Sequence, residues 1–196
     1  MIRRRLALLV PLLVTATAVI AQDTEFIRAL ERAQQQRPAT LASSARIAPP
    51  GEPGTPLVIH GRVYAPDGRA PVPGAIVFAY HTDREGLYDR RGAPAHSWRL
   101  RGWARADAEG RFEFQTIRPG SYPGTTNPAH VHFTLFTPTG ERYHAGELQF
   151  GDDALVPAGA RAAAEREGEF GSVRPVRLDG GTQHVDLRLR ISPRSK

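Results

Sequence analysis

The 196-residue chain contains no cysteine, so no disulfide framework holds it together and no thiolate can serve it as ligand or nucleophile. The same lack gives a lipid anchor no attachment point after the N-terminal apolar run. That run, from Leu6 to Ile20, carries Pro11 and is short for a bilayer span, which takes about 20 apolar residues. A dense basic block with interleaved aromatics is also missing. The formal charge of +6 drops to +3 without the three arginines at positions 3–5, because residues 1–21 hold no Asp or Glu, and the remaining charges are interspersed. Basicity therefore points to no nucleic-acid partner.

What is present begins with an export signal. Arg3, Arg4 and Arg5 precede the apolar run, and Val19-Ile20-Ala21 ends it where a signal peptidase would cut. This order predicts a signal peptide over residues 1–21 and a mature protein that is periplasmic or secreted, with no stable membrane association after cleavage. Residues 22–37 read as one amphipathic helix, with Phe26, Ile27, Leu30 and Ala33 on one stripe and Arg37-Pro38 ending it. Such a stripe either covers a core or makes a homodimer contact. Residues 38–56, rich in Pro, Ala, Ser and Gly, suit a linker.

From Leu57 the character changes, and residues 57–192 read as one domain. Leu57 to Tyr64, Gly74 to His81, Trp98 to Ala106, Arg111 to Gln115, Val131 to Thr137 and Glu141 to Phe150 are short apolar runs separated by turn sequences such as Asp107-Ala-Glu-Gly110. His184 onward alternates as a closing strand, and a small helix fits Ala158 to Glu167. With 17 prolines and 19 glycines, the pattern predicts an all-β fold, an antiparallel β-sandwich with a short N-terminal helix and minor helical insertions.

His130 and His132 lie one residue apart in Pro-Ala-His-Val-His-Phe. On a strand side chains repeat every second residue, so both imidazoles share one face while Val131, Phe133 and Leu135 point to the other. A lone His-x-His on a strand is more often a surface or hydrogen-bonded pair than a metal site, Tyr88 alone could be a loop aromatic, and Tyr122 could pack on Pro123. Together they suggest a metal site. A phenol titrates near pH ~10, so a tyrosinate ligand needs a strongly Lewis-acidic ion, and hard oxygen with imidazole suits Fe(III) better than zinc or magnesium.

The stretch Leu57 to Asp153 carries, in order, His-Gly-Arg-Val-Tyr, Pro-Val-Pro-Gly-Ala, Gly-Leu-Tyr-Asp, Asp-Ala-Glu-Gly-Arg-Phe-Glu-Phe, Thr-Ile-Arg-Pro-Gly-Ser-Tyr-Pro and Pro-Ala-His-Val-His-Phe. In this it resembles the catalytic core of the intradiol ring-cleavage dioxygenases, the class that includes catechol 1,2-dioxygenase and protocatechuate 3,4-dioxygenase. The resemblance implies an oxidoreductase that takes a small catecholic substrate and O2 and yields a muconate-type diacid. It further implies Tyr88, Tyr122, His130 and His132 as the ligands of a mononuclear non-haem Fe(III), with Tyr122 displaced when a catechol chelates the metal. Two positions depart from the family pattern: Asn127 stands where an arginine is usual, and Glu147 where a glutamine is usual, both beside the expected reaction site. Less positive potential there predicts a preference for neutral or larger catechols over carboxylated ones, unless Arg84, Arg101 or Arg118 compensates. The same departures leave room for a transthyretin-like sandwich that binds iron or a catechol without turnover. A carbohydrate-associated sandwich with incidental histidines is the third reading, which the intact Tyr88 and Tyr122 oppose.

Overall fold

The computed structural model describes residues 27–29, 31–33, 35–89 and 98–191. The expected signal segment, and Phe26 and Leu30 of the expected helical stripe, lie outside them. Residues 27–29, 31–33 and 35 are helical and belong to a first compact unit that ends at Arg37, while a second unit begins at Pro38.

Among the described residues the second unit holds two five-stranded sheets. One has the order β1-β5-β2-β10-β9, built from Ser44–Arg46 (β1), Arg111–Ile117 (β5), Pro56–Tyr64 (β2), Thr182–Arg190 (β10) and Arg177–Asp179 (β9). The other has the order β4-β3-β6-β7-β8, built from Leu100–Arg105 (β4), Ile76–His81 (β3), His130–Phe136 (β6), Arg142–Phe150 (β7) and Val173–Arg174 (β8). Most neighbours are antiparallel, as expected, but β1 on β5, β10 on β2 and β8 on β7 run parallel. The expected small helix is present as Ala158–Glu167 and stops at Gly168, whose φ of 59° ends the right-handed helix.

Alternation explains the core. Leu57, Ile59 and Val63 of β2, Phe112 and Phe114 of β5, and Val185, Leu187 and Leu189 of β10 join Val77 and Ala79 of β3, Val131, Phe133 and Leu135 of β6, and Leu148 and Phe150 of β7 in one buried cluster. Each large apolar side chain there contributes roughly 1.5–3 kcal/mol by leaving water. Because Val131, Phe133 and Leu135 face inward, His130 and His132 are turned to the outer side of their sheet.

Residues 38–56 are not a free linker. Ser44, Ala45 and Arg46 pair with Glu113, Phe114 and Gln115, and the N–H of Arg105 donates to the Ala42 carbonyl at 2.9 Å. Ile47 and Ala48 enter the core. Gly102 makes this packing fit, since a Cβ there would stand 2.8 Å from Cγ1 of Ile47. The segment's composition is that of a linker; its order comes from partners distant in sequence.

The strand β7 contains a bulge that shapes the site. Thr134 pairs with His144 while His132 pairs with Glu147, so the one residue between them on β6, Phe133, faces two on β7, Ala145 and Gly146. Gly146 has φ 78°, the left-handed conformation that a bulge with an extra glycine uses. The extra residue puts Glu147, and not Gly146, opposite His132. Tyr80 of β3 flanks His132 on its other side, giving a cross-strand row Tyr80, His132, Glu147.

Candidate metal centre

The two imidazoles are fixed through their Nδ1 atoms. His130 Nδ1 donates to the Pro128 carbonyl at 2.8 Å, and His132 Nδ1 lies 3.2 Å from Oε1 of Glu147. A carbonyl and a carboxylate can only accept, so both Nδ1 atoms carry the proton and both Nε2 atoms keep a lone pair. Those two Nε2 atoms are 3.0 Å apart.

Two loops bring phenols to the same point. Asp83, just after β3, accepts the N–H groups of Glu85 and Leu87 on its Oδ1, both at 3.0 Å, a local turn that carries the chain to Tyr88. The Tyr88 carbonyl accepts the N–H of Arg99 at 3.2 Å. Arg99 in turn grips Glu52 with two bonds of 2.6 and 2.8 Å and reaches Asp83 at 3.6 Å. Tyr122 comes from the loop after β5. That loop is fastened to the first one by the Thr82 hydroxyl donating to the Gly120 carbonyl at 2.7 Å and by the Gly120 N–H donating to the Asp83 carbonyl at 2.8 Å. Glycine is required on both sides of the clasp. A Cβ on Gly86, whose φ is 82°, would stand 1.9 Å from the Ser121 carbonyl oxygen.

The four donors then converge. Tyr88 Oη is hydrogen-bonded to Tyr122 Oη and lies 2.7 Å from His132 Nε2. Tyr122 Oη lies 3.0 Å from His130 Nε2 and 3.4 Å from His132 Nε2. Ligands bound at about 2.0–2.1 Å to one first-row metal ion stand roughly 2.8–3.4 Å from each other, and the contacts that involve an imidazole nitrogen, 2.7 to 3.4 Å, match that spacing. Burial raises the Tyr88 phenol above its ordinary pKa, and the hydrogen bond with Tyr122 adds to the rise. Burial raises Tyr122 as well, while its bond with Tyr88 opposes the shift. Without a cation both phenols are therefore neutral: Tyr88 donates to Tyr122 Oη, and Tyr122 is left to donate to an imidazole lone pair. A cation at this point would take the place of those protons, and only a strongly Lewis-acidic one could do so.

Aromatic packing holds the His132 ring. Tyr80 stacks on it with centroids 4.6 Å apart and planes at 16°, and Trp98 stacks on Tyr80 at 4.2 Å and 13°. Trp98 is the one non-glycine among the described residues with positive φ, 43°, a conformation that costs about 1–3 kcal/mol. The strained backbone keeps the indole on the Tyr80 face.

The structure thus brings together Tyr88, Tyr122, His130 and His132. Glu147 is close too, and one donor atom each from His130, His132 and Glu147 can be found within 4.8 Å. Its contact is with Nδ1 of His132, on the far side of the ring from the phenols, which makes it a partner of the imidazole and not a further donor. Asn127 is exposed, with its N–H on the Thr125 hydroxyl at 3.3 Å. Of the candidate compensating arginines, Arg118 is paired with Asp152 at 2.9 Å, Arg84 with Glu85 at 2.5 Å, and Arg101 donates to the Trp98 carbonyl at 3.0 Å. The supporting residues Glu52, Asp83, Arg99, Tyr80 and the Pro128 carbonyl are not evident from the sequence. Gly86 and Gly120 lie in the motifs beside the two tyrosines and could have signalled the clasp.

Comparison with known proteins agrees with this architecture. A family model described as Dioxygenase matches residues 26–190. Catechol 1,2-dioxygenase 1 of Acinetobacter lwoffii is 40% identical over 103 residues, covering 43% of this chain and 32% of that protein. 6-Chlorohydroxyquinol 1,2-dioxygenase of Cupriavidus pinatubonensis is 31% identical over 164 residues, covering 73% of this chain and 56% of that protein. The chain thus spans about a third to a half of the length of these relatives. Among solved structures, the dioxygenase domain of a dioxygenase carbohydrate-binding protein fusion from Streptomyces sp. SirexAA-E superimposes with a TM-score of 0.57 at 23% identity, over 80% of this chain and 92% of that one. At that identity the likeness is one of fold.

Proposed function

Because this chain belongs to the intradiol ring-cleavage dioxygenase family, we propose that it opens a catecholic ring between its two hydroxylated carbons, using O2, at a mononuclear non-haem Fe(III) held by Tyr88, Tyr122, His130 and His132. The observation that carries the reading is the convergence of two hydrogen-bonded phenol oxygens and two imidazole lone pairs, with the contacts to imidazole nitrogen at 2.7 to 3.4 Å. Bound Fe(III) would supply the Lewis acidity that keeps the phenols ionised and gathers a catechol by both oxygens. The chain's own groups do the rest. Tyr88, clamped through Arg99 and packed on Tyr80, and the two histidines, fixed through Nδ1, are built to stay in place. Tyr122 sits on a partly exposed loop and is the group a substrate would displace, its Oη then holding a substrate proton.

A neutral catechol suits the surroundings best. The anionic group against the ligand set is Glu147, while Arg84, Arg101 and Arg118 have partners of their own. A ring bearing a carboxylate would add a second negative charge with no dedicated cation among the described residues. The arginine cluster and apolar run at residues 3–20 support export, so the proposed place of action is the periplasm or the outside of the cell.

Oxygen uptake by iron-loaded protein with a panel of neutral and carboxylated catechols, with identification of the ring-opened diacid, tests the reading. The expected result is uptake with neutral catechols and a red-brown protein before substrate is added. Iron-loaded protein that opens no catechol would instead favour a transthyretin-like sandwich that binds without turnover, and a colourless protein that takes up no iron would remove the metal assignment.

A further inference from the structure

We propose that Glu147 is a positioning residue for the metal centre, which holds the Nδ1–H of His132 and places a fixed negative charge behind that one ligand, biasing the site toward a trivalent ion. The inference rests on the four-ligand reading and concerns a residue outside the ligand set.

The two imidazoles come from one strand but have unlike partners. His130 Nδ1 donates to the Pro128 backbone carbonyl at 2.8 Å, a neutral acceptor. His132 Nδ1 faces the Glu147 carboxylate at 3.2 Å. A carboxylate acceptor pulls the Nδ1 proton and makes Nε2 a stronger donor to a metal, and such outer partners commonly govern metal affinity by about 10–100-fold. Stronger donation stabilises the higher charge state more than the lower one. The two histidines are therefore unequal ligands, with His132 the better donor.

The backbone is built to deliver this contact. Without the bulge in β7, the residue opposite His132 would be Gly146, which has no side chain to offer. Gly146 adopts φ 78°, and a Cβ there would meet nothing within 4 Å, so it is the conformation, and not crowding, that calls for glycine there. Tyr80 covers the face of the His132 ring at 4.6 Å. The ring is thus held by a face contact, an edge contact and its own strand, and it cannot turn Nδ1 toward the metal while its Nδ1–H stays on the Glu147 carboxylate. At 37% side-chain exposure, Glu147 remains partly open to water, yet is close enough to act on the ring.

The test separates charge from hydrogen bonding. Glu147→Gln keeps an acceptor oxygen and removes the charge; Glu147→Leu removes both; Glu147→Asp keeps the charge on a shorter stem. With each protein loaded with iron, the readouts are the Fe(III)/Fe(II) midpoint potential, the energy of the visible phenolate-to-iron band, and iron affinity. Glu147→Gln is expected to lose about tenfold of the preference for Fe(III) over Fe(II), a rise of ~59 mV for a one-electron couple, with the band moving to longer wavelength. Glu147→Leu should show both changes and also bind iron about 10–100-fold more weakly. Glu147→Asp should stay nearer the parent than Glu147→Gln. Melting of the iron-free variants alongside the parent reports any loss of fold. A parent-like potential and band in Glu147→Gln, or Asp behaving as Gln, would overturn the inference and leave the four-ligand reading standing. A parent protein that takes up no iron would overturn both.

Discussion

Gly120 and Arg84 approach so closely that a Cβ on Gly120 would stand 2.3 Å from the Arg84 carbonyl oxygen. The loop that carries Tyr122 therefore lies directly on the loop that carries Tyr88, and the meeting of the two phenols depends on a side chain that is not there. Gly120→Ala must push the loops apart. We expect it to lower stability by about 1–3 kcal/mol and to weaken iron binding while leaving both sheets intact. Chemical denaturation together with metal analysis checks this; a Gly120→Ala variant with parental iron content would show that the clasp does not position the tyrosines.

Much of this was legible in advance, and the illegible part has a physical cause. The strand period of two dictates that His130 and His132 face away from Val131, Phe133 and Leu135, because only one face of β6 can meet the core. The partner of His132 could not be read that way. A bulge at Gly146 shifts the register by one residue, and glycine in a strand pattern signals a bulge without saying which side chain it will re-aim. The strand Ser44–Arg46 is hidden within a linker-like stretch for a different reason. Its order comes from β5, with Ser44 bonded to Glu113 across 69 residues of chain, and local composition carries no trace of so distant a partner.

The ligands differ in how firmly they are held, and substitution should show it. His132 is fixed on three sides, so its replacement by Ala removes a positioned donor, and stoichiometric iron should be lost. Tyr122→Phe keeps three donors and the loop packing; some metal should remain, with the visible band shifted or bleached. Metal analysis and absorption spectra of the two variants decide the point. If His132→Ala holds iron as the parent does, the ligand assignment is wrong.

His81 makes the fold sensitive to acid. It is fully buried, with Nδ1 donating to the Thr82 carbonyl and Nε2 accepting from the Thr116 hydroxyl, both at 2.6 Å. Burial, opposed by the Thr82 bond and assisted by the Arg99 charge, with weaker effects from Glu52 and His132, lowers its pKa to about 4. In the unfolded chain the ring takes a proton near pH ~6.5, which the folded ring refuses until about pH 4. Its contribution is thus fully present above pH ~6.5 and is lost as pH falls toward 4, to the extent of about 3 kcal/mol. Urea unfolding at pH 7, 5.5 and 4 should show this slope in the parent, and His81→Gln should be less stable at pH 7 yet flatter below it. Parallel slopes would exclude His81 as the cause.

The arginine cluster, apolar run and Val19-Ile20-Ala21 together fix an expected cleavage point. Protein recovered from its native host should begin at Gln22 and lie outside the cytoplasm. N-terminal sequencing after cell fractionation measures both, and a full-length cytoplasmic chain would refute export.

Position 127 offers a direct test of the electrostatic argument for substrate choice. Asn127 is exposed, three residues before His130, and adds no charge, while Glu147 supplies a negative one behind His132. An arginine at 127, three residues before His130, would add a cation at an exposed position, where such a charge is worth about 1 kcal/mol or less. Asn127→Arg should therefore raise kcat/KM for a carboxylated catechol by up to about fivefold and change that for an unsubstituted catechol much less. Raising the salt concentration should shrink the gain, because screening acts on exposed charges first. Comparison of the two substrates by oxygen uptake at low and high salt gives the answer. A parent protein that already prefers the carboxylated ring would refute the charge argument, whatever the ligand set proves to be.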